Sequence, residues 1–437
     1  MILAKQNRGA VNIESIISSY LERGELKELL LVVPTNRKLR DYKKEIISAF
    51  KGKGVTGLNL ETFESLCSKI LEVSTIFVNL EEAPSAVLLS HAVSETELNY
   101  FSSYKGEIPN GTLNRIRSVI SEYKRNGITP DVLRGEAEKL PHSEKLKALD
   151  IASIYENYLL KTISLAAFEA GDVYSALNGL TDEDFEEHFK KVFPDAKEIL
   201  IKGFDEFTEL EAGIVDRLAK IKSLSLLLQF DYYAGNSGLF AHLDKTYDKF
   251  EKRGFVKIKE NESGNNSRFK KIIREQLFSE YRGKRINEFK ESLFKFDSFT
   301  REEEIVNIAK EVKRLILEEN AEPYKICVAF NLVQNYSPVL NEVFSVYGIP
   351  LNLTDRVYLE YTAPIIAILN LLEILENDYY FKNVIRAFSS NVLAGKGIEL
   401  KSILKSAIEL KIIGGRENWI AMLKNAVDER KKYKNAD

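Results

Sequence analysis

Hydrophobic and polar positions divide the first part of the chain into alternating strands and helices. An apolar run over residues 29–33 predicts a short buried strand. Residues 37–50 then place apolar side chains every three or four positions, which predicts a helix. Strand character returns at 198–204 and at 224–230, with a helical pattern over 209–220 between them. This order indicates a βαβ unit and therefore a parallel sheet.

The pattern changes between residues 83 and 190, where apolar residues recur every three or four positions and no strand pattern is seen. This segment predicts an all-helical insertion. A second alternation follows, with strands expected over 294–299 and 324–330, a helix capped by Thr300 and another helix over 337–347. The repeated alternation predicts a second α/β domain.

Composition narrows the class of protein. A chain of 437 residues is too long to fold around one hydrophobic core. Its content of 44% hydrophobic and 29% charged residues is typical of globular proteins. No apolar run approaches the roughly 20 residues that span a bilayer, and the first residues lack a signal-peptide layout. Cys67 and Cys327 lie far apart, which favours a reducing cytoplasm over a disulfide framework.

The net charge of −3 means that nucleic-acid binding would depend on local basic patches. Two clusters of cations are present. The first comprises Arg37, Lys38, Arg40, Lys43, Lys44, Lys51 and Lys53. The second comprises Arg268, Lys270, Lys271, Arg274, Arg282, Lys284, Arg285 and Lys290, and it is either a contact surface or a solvated helix face.

Four segments, in this order along the chain, resemble the layout of superfamily-1 helicases. Residues 31–38 (LVVPTNRK) look like the motif in which a strand end presents a turn to single-stranded DNA. Residues 62–71 (TFESLCSKIL) are similar to the T-F-x-S-L motif of the UvrD group. Residues 202–211 (KGFDEFTELE) stand where the Walker B strand should end, in a form that resembles AddB/RexB proteins. Residues 301–350 resemble the opening of a second RecA-like domain.

The resemblance implies an α/β fold with two RecA-like, parallel-sheet domains of the P-loop NTPase type, each with an inserted helical domain. The expected pieces are the first RecA-like domain (1–82 and 191–292), its helical insertion (83–190), the second RecA-like domain (293–375) and the start of a second, truncated insertion (376–437).

The nucleotide site of such a motor is degenerate here. A phosphate-binding loop needs several glycines and a Lys-Ser/Thr pair, but residues 5–12 (KQNRGAVN) keep one glycine and no such pair. A motor also needs paired acids at the Walker B strand end. The positions of the degenerate site are Gln6, Asn7, Arg8, Gly9, Lys202 and Gly203. We therefore expect no ATPase activity and no cofactor; the alternative is an active motor that uses Asp205 and Glu206.

AddB/RexB-like proteins normally carry a C-terminal PD-(D/E)xK nuclease domain. The Pro-Asp pairs at 130–131 and 194–195 are not followed by a Glu-x-Lys on a strand, so we expect no nuclease activity and no catalytic residue in this chain. The four histidines are scattered, so no metal site is expected.

Ligands of open α/β sheets collect outside the carboxyl ends of strands. The resemblance and the polar character of these turns predict single-stranded DNA contacts from Thr35, Asn36, Arg37, Lys38, Thr62, Phe63 and Ser65. Phe63 offers either a stacking face or a core side chain.

The resemblance implies a catalytically inactive, single-stranded-DNA-binding module of a helicase–nuclease complex that processes double-strand breaks for recombination repair. The implied partners are DNA (a single strand and a duplex end) and an AddA/RexA-like motor–nuclease protein, with no membrane. Two alternatives stay open: an active ATP-dependent helicase, and a purely structural scaffold.

Overall fold

The computed structural model describes residues 1–434 except 6–10, 50–56, 105–107, 260–266, 281–287, 290, 294, 356–358 and 390–398. The chain forms two compact units, Met1–Phe289 and Lys290–Asp437. No helix among the described residues is long and apolar enough to cross a bilayer.

The strands of the first unit are β1 (Ile2–Ala4), β2 (Leu29–Val33), β3 (Asn59–Thr62), β4 (Val78–Asn79), β5 (Ala167–Phe168), β6 (Glu198–Lys202), β7 (Ser225–Gln229) and β8 (Val256–Ile258). Its helices are α1 (Ile13–Arg23), α2 (Asn36–Ala49), α3 (Phe63–Leu71), α4 (Glu82–Ser94), α5 (Asn110–Arg125), α6 (Pro130–Ala137), α7 (His142–Ser164), α8 (Ala170–Gly179), α9 (Asp182–Val192), α10 (Glu209–Lys220), α11 (Ser237–Phe240), α12 (Asp244–Lys252) and α13 (Ser267–Gln276).

Within the part of the chain that the structure describes, six strands form the central sheet in the order β3-β2-β6-β7-β1-β8. The neighbours β3, β2, β6 and β7 are all parallel, as the βαβ pattern predicts. Leu31 pairs with Leu60 on one side and with Leu200 on the other, and Leu200 pairs in turn with Leu227. The fold is therefore α/β with a mixed sheet in which parallel pairing dominates.

Strand β1 departs from the expected parallel sheet, because it runs antiparallel to both of its neighbours. Leu3 pairs with Leu228 of β7 and with Lys257 of β8. The amino group of Met1 donates to the carbonyl oxygen of Phe230 at 3.0 Å, which fixes the start of the chain at the carboxyl end of β7. The chain therefore leaves β1, at Ala4, on the opposite edge of the sheet.

Successive side chains of a strand point to opposite sides, and the central parallel strands β2, β6 and β7 are buried on both faces, whereas the edge strand β3 is mostly half-buried. Leu30, Val32 and Ile199 face a large core with α3, α8, α9, α10 and α12. Leu31 and Leu200 face a smaller core with α1 and α2.

The segment predicted to be an all-helical insertion contains α4 to α9, interrupted only by β5 within the described residues. Helices α4, α5 and α7 share a core of their own, built around Leu89, Ile120 and Ile154. Helices α8 and α9 instead bury Leu177 and Phe185 in the core of the main sheet. The separate helical core therefore ends earlier in the chain than the insertion predicted from the sequence.

The second unit contains α14 (Arg301–Glu318), α15 (Ser337–Val346), α16 (Ala363–Glu376), α17 (Phe381–Phe388), α18 (Leu400–Glu409) and α19 (Arg416–Lys434). Thr300 caps α14 as expected, accepting a hydrogen bond from the backbone N–H of Glu303 at 3.1 Å. Helices α14 and α15 pack together around Ile305, Leu340 and Phe344.

The strands predicted at 294–299 and 324–330 are wrong, since the described residues of both segments form no sheet pairing. Residue 294 lies outside the described residues, and Phe299 is fully exposed. Strand propensity reflects how a side chain fits a pleated, half-buried surface, so it does not create a strand without a neighbour to pair with.

Candidate nucleic-acid interface at the carboxyl edge of the sheet

Strands β2, β3 and β6 end side by side, which brings three turns to one edge of the sheet. Val33 pairs with Thr62, so α2 and α3 both begin at this edge. The turn after β6 lies close to the turn after β2: a Cβ built on Gly203 would be 3.6 Å from Cδ of Pro34. Gly203 has a φ of 83°, a conformation that side chains other than glycine rarely adopt.

The turn after β2 presents its polar residues to solvent. The hydroxyl oxygen of Thr35 accepts a hydrogen bond from the backbone N–H of Lys38 at 3.3 Å, which closes the first turn of α2. Thr35, Asn36, Arg37 and Lys38 are all exposed. A helix start next to two exposed cations suits the oxygen atoms of a phosphate.

The polar side chains at the start of α3 already form hydrogen bonds within the chain. Thr62 is buried, and its hydroxyl accepts from the backbone N–H of Ser65 at 3.1 Å. The Ser65 hydroxyl donates to the carboxylate of Glu61 at 2.6 Å, and Lys69 binds the same carboxylate at 2.5 Å. Thr62 and Ser65 therefore shape this edge and place a carboxylate on it. The Thr62 side chain is buried, and the Ser65 hydroxyl already donates its hydrogen to Glu61.

Phe63 is a core residue, so its ring is not available to stack on a base. Its side chain is 3% exposed. The ring makes edge-to-face contacts with Tyr174 and Phe204 at centroid distances of 5.7 and 6.0 Å. Of the two roles that the sequence left open for Phe63, the structure supports packing.

Helix α2 carries the described part of the first basic cluster. Its exposed cations are Arg37, Lys38, Arg40, Lys43 and Lys44, and none of them forms an ion pair with a described residue. On α9, by contrast, the exposed cation Lys190 is paired with Glu186 at 2.5 Å. Lys51 and Lys53 lie outside the described residues.

The predicted degenerate nucleotide site is described only in part, because Gln6, Asn7, Arg8 and Gly9 lie outside the described residues. Lys5 lies at the far edge of the sheet from Lys202 and pairs with Asp216 of α10 at 2.5 Å. At the end of β6, the Lys202 ammonium sits 4.4 Å from the ring centre of Tyr42. This strand end therefore presents an ammonium group, and the nearest carboxylates in sequence, Asp205 and Glu206, lie exposed on the following turn.

The second basic cluster is described through α13. Arg268, Lys270 and Lys271 are exposed, and the guanidinium of Arg274 lies 5.8 Å from the ring centre of Tyr233. The side-chain amide of buried Asn236 donates to the carbonyl oxygens of Arg274 and Leu277, which attaches the end of α13 to the loop after β7. Arg282, Lys284, Arg285 and Lys290 lie outside the described residues.

Sequence reasoning missed a polar cleft of about 940 Å³ beside this edge. Its lining includes Arg117, Ser121 and Arg125 of α5, Glu206 and Thr208 of the turn after β6, and Lys249 of α12. These residues come from segments far apart in the chain, so no local pattern could have grouped them.

Comparison with known proteins finds a family model that matches more than half of the chain. Residues 4–274 match the family model described as ADDB, N-terminal.

Curated relatives match along most of the chain, and those named here are ATP-dependent helicase/deoxyribonuclease subunits of the B type. The protein of Clostridium novyi (strain NT) is 23% identical over 422 residues, which is 92% of this chain and 36% of that protein. The protein of Thermoanaerobacter sp. (strain X514) is 23% identical over 436 residues, 94% of this chain and 37% of that protein. The protein of Staphylococcus carnosus (strain TM300) is 24% identical over 325 residues, 71% of this chain and 26% of that protein. The chain thus spans between 26% and 37% of the length of these three relatives.

Proposed function

Because the chain belongs to the family of AddB N-terminal regions, we propose that it is a single-stranded-DNA-binding, helicase-like module without ATPase activity. It serves a helicase–nuclease complex that processes double-strand breaks for recombination repair. The shared name of its relatives, which are B-type subunits of an ATP-dependent helicase/deoxyribonuclease, supports the complex and the repair role.

The observation that carries this proposal is the pairing of Val33 with Thr62, which sets the turn after β2 at an edge where α2 and α3 both begin. This edge offers a helix start whose first residues are exposed, and exposed cations without carboxylate partners among the described residues. A phosphate binds more strongly to a cation that is not already paired with a carboxylate. Each such contact also releases a condensed counterion from the DNA, which adds to the binding free energy.

We assign the direct contacts to Thr35, Asn36, Arg37 and Lys38. Thr62 and Ser65 hold the edge in shape through the capping bond and the bond to Glu61. With Phe63 in the core, base stacking is not part of this contact, and binding depends on phosphates.

At the level of the fold, we propose two RecA-like domains, each with a helical insertion. Support for the first domain and its insertion comes from the parallel strands β3, β2, β6 and β7 with helices on both faces, and from the separate core of α4, α5 and α7. The second domain is proposed from the resemblance of residues 301–350 to the opening of such a domain. The domain boundaries expected from the sequence, at residues 82, 190, 292 and 375, belong to this proposal. The segment up to residue 190 then includes α8 and part of α9, although both helices pack on the main sheet.

The proposed module does not turn over nucleotide and takes no cofactor. Support comes from Lys202, which binds the ring of Tyr42 at the strand end where a motor places magnesium-binding acids. The motor activity of the complex would then come from an AddA/RexA-like partner protein.

Filter binding of a single-stranded oligonucleotide to the pure chain, with and without ATP at the same magnesium and salt concentrations, tests the proposal. We expect binding with the same dissociation constant under both conditions. Binding that requires ATP would favour an active motor, and the absence of binding would favour a purely structural scaffold.

A further inference from the structure

We propose that a buried ionic cluster of Lys124, Glu169 and Asp172 fixes the helical core of α4, α5 and α7 against the main sheet, and so sets the width of the polar cleft. The inference goes beyond the proposed function and does not depend on it, because it concerns contacts within the chain.

The chain enters and leaves the helical core through a narrow neck. Strand β4 leads from the main core to α4, and β5 leads from α7 back to α8. The strands are two residues long each and pair in parallel, with Val78 opposite Ala167. The backbone N–H of Val78 also donates to the carbonyl oxygen of Ala166 at 2.8 Å. A two-stranded ribbon is marginally stable by itself, so the neck alone does not hold the helical core at one angle.

The ionic cluster is a second attachment, and it joins helices of the two cores. The ammonium nitrogen of Lys124, in α5, lies 2.8 Å from a carboxylate oxygen of Glu169 and 2.8 Å from one of Asp172, both at the start of α8. Glu169 also accepts a hydrogen bond from the hydroxyl of Tyr158, in α7, at 3.2 Å. Helices α5 and α7 belong to the helical core, whereas α8 packs on the main sheet. The cluster therefore crosses the boundary between the two cores.

Burial makes this attachment sensitive to position. The Lys124 side chain is only 2% exposed. The backbone N–H of Glu169 donates to the Asp172 carboxylate at 2.9 Å, which fixes the two acids relative to each other. A buried charge is costly once its partner moves away, whereas apolar contacts have no preferred direction. A change in the angle between α5 and α8 would separate these charges, so the cluster selects one angle.

The polar cleft is lined by residues from both cores. The residues of α5 in its lining include Arg125, which directly follows Lys124. Those of α12 include Lys249, and α12 packs on the main core through Phe250. One part of the lining therefore moves with the helical core and another part stays with the main sheet. The angle that the cluster fixes determines the distance between them.

The test variant combines Lys124→Met, Glu169→Gln and Asp172→Asn. It removes all three charges without leaving one of them unpaired in the core, and it keeps amide oxygens that can accept the hydrogen bonds of the two carboxylates. The matched control is Lys161→Met with Glu95→Gln, an ion pair of 2.7 Å between α7 and the end of α4, within the helical core.

Pulsed electron paramagnetic resonance measures distances between two nitroxide labels on the full chain. One label pair spans the cleft, at Ser118→Cys of α5 and Lys245→Cys of α12. The second lies within the helical core, at Ser118→Cys and Ser143→Cys of α7. All three positions are exposed. Cys327, which is exposed, is replaced in every protein by Cys327→Ser, whereas Cys67 is buried and stays.

We expect narrow distance distributions for both label pairs in the wild type and in the control. In the test variant, the distribution across the cleft should broaden or shift, because the second attachment is lost. The distribution within the helical core should stay as narrow as in the wild type. Thermal melting followed by circular dichroism shows whether each variant folds.

A wild-type distribution across the cleft in the test variant would overturn the inference. Broadening of both label pairs would overturn it as well, because the cluster would then hold the helical core together rather than place it. If the test variant does not fold, Glu169→Gln alone decides, since it keeps the pair of Lys124 with Asp172. Broadening across the cleft in this variant supports the inference, and an unchanged distribution contradicts it.

Discussion

At the scale of the residue, local chemistry was predictable and distant packing was not. The hydroxyl of Thr300 caps a helix as the sequence indicates, because a cap involves only the next three residues. The role of Phe63 depended on Tyr174 and Phe204, which lie more than a hundred positions away. The sequence therefore indicated two roles for Phe63, base stacking and core packing, but did not decide between them.

The ion pairs of Asp216 give a testable pH dependence. Burial works against the charged carboxylate, but hydrogen bonds from Lys5 and Lys220 outweigh it and hold the pKa of Asp216 below its ordinary value of 3.8. A carboxyl whose pKa is depressed by folding adds stability above its ordinary pKa, and this stability is lost as the pH falls through the folded-state pKa. We therefore expect Asp216→Asn to lower the free energy of unfolding at neutral pH, and the difference from the wild type to shrink below about pH 4.

Urea unfolding of both proteins at neutral pH and in steps below pH 5 measures this difference. The control is Glu187→Gln, which removes a carboxylate from a largely exposed pair with Lys191 and should change stability little. A constant difference across the whole pH range would show that the charge of Asp216 does not contribute.

At the scale of the element, strands and helices with strong patterns begin and end where the sequence places them. Strand β2 and helix α10 match their predicted limits, because buried runs and helical periodicity are properties of the segment itself. The antiparallel direction of β1 is set by its pairing with β7 and β8, which lie far along the chain. The strands expected at 294–299 and 324–330 are absent from the described residues for a similar reason, since a strand needs a neighbour that its own sequence does not specify.

The approach of α8 to α5 depends on a glycine. A Cβ built on Gly171 would lie 2.6 Å from the backbone carbonyl carbon of Lys124, closer than such atoms pack. Lys124 is buried there between the carboxylates of Glu169 and Asp172, both 2.8 Å away, so neither helix can shift without disturbing this ionic group. We expect Gly171→Ala to lower the free energy of unfolding by about 1–3 kcal/mol.

Gly179, at the end of the same helix, is the matched control, since a Cβ there would meet no atom within 4 Å. Gly179→Ala should leave stability unchanged or raise it by up to about 1 kcal/mol in the same chemical denaturation experiment. Equal effects of the two substitutions would mean that the contact between α5 and α8 is looser than described.

At the scale of the whole molecule, the order of four weak motifs was enough to recognise the family, which the match over residues 4–274 confirms. The presence of a helical core could be predicted, but its extent could not. Helices α8 and α9 have the same periodicity as the helices before them, and only their packing on the main sheet separates the two groups. The polar cleft was likewise beyond the sequence, because its lining is assembled from distant segments.

The nucleotide site gives the next prediction at this scale. The chain should release no phosphate from ATP at the rates of a motor, with or without single-stranded DNA, because β6 ends in Lys202 and Gly203 follows it. A coupled phosphate-release assay on the pure protein measures this. DNA-stimulated turnover that Asp205→Ala abolishes would show that the carboxylates of the following turn replace the missing acids.

The central claim is that phosphates of single-stranded DNA bind at the turn after β2. The most direct measurement is the salt dependence of single-strand binding by the wild type and by Arg37→Ala with Lys38→Ala. If each cation contacts one phosphate, the log–log slope of the double variant should be shallower by about 1.4, or about 0.7 for each contact, and binding should weaken alike for all sequences. An unchanged slope and affinity would contradict the account and move the single strand away from this edge, to a surface such as α13.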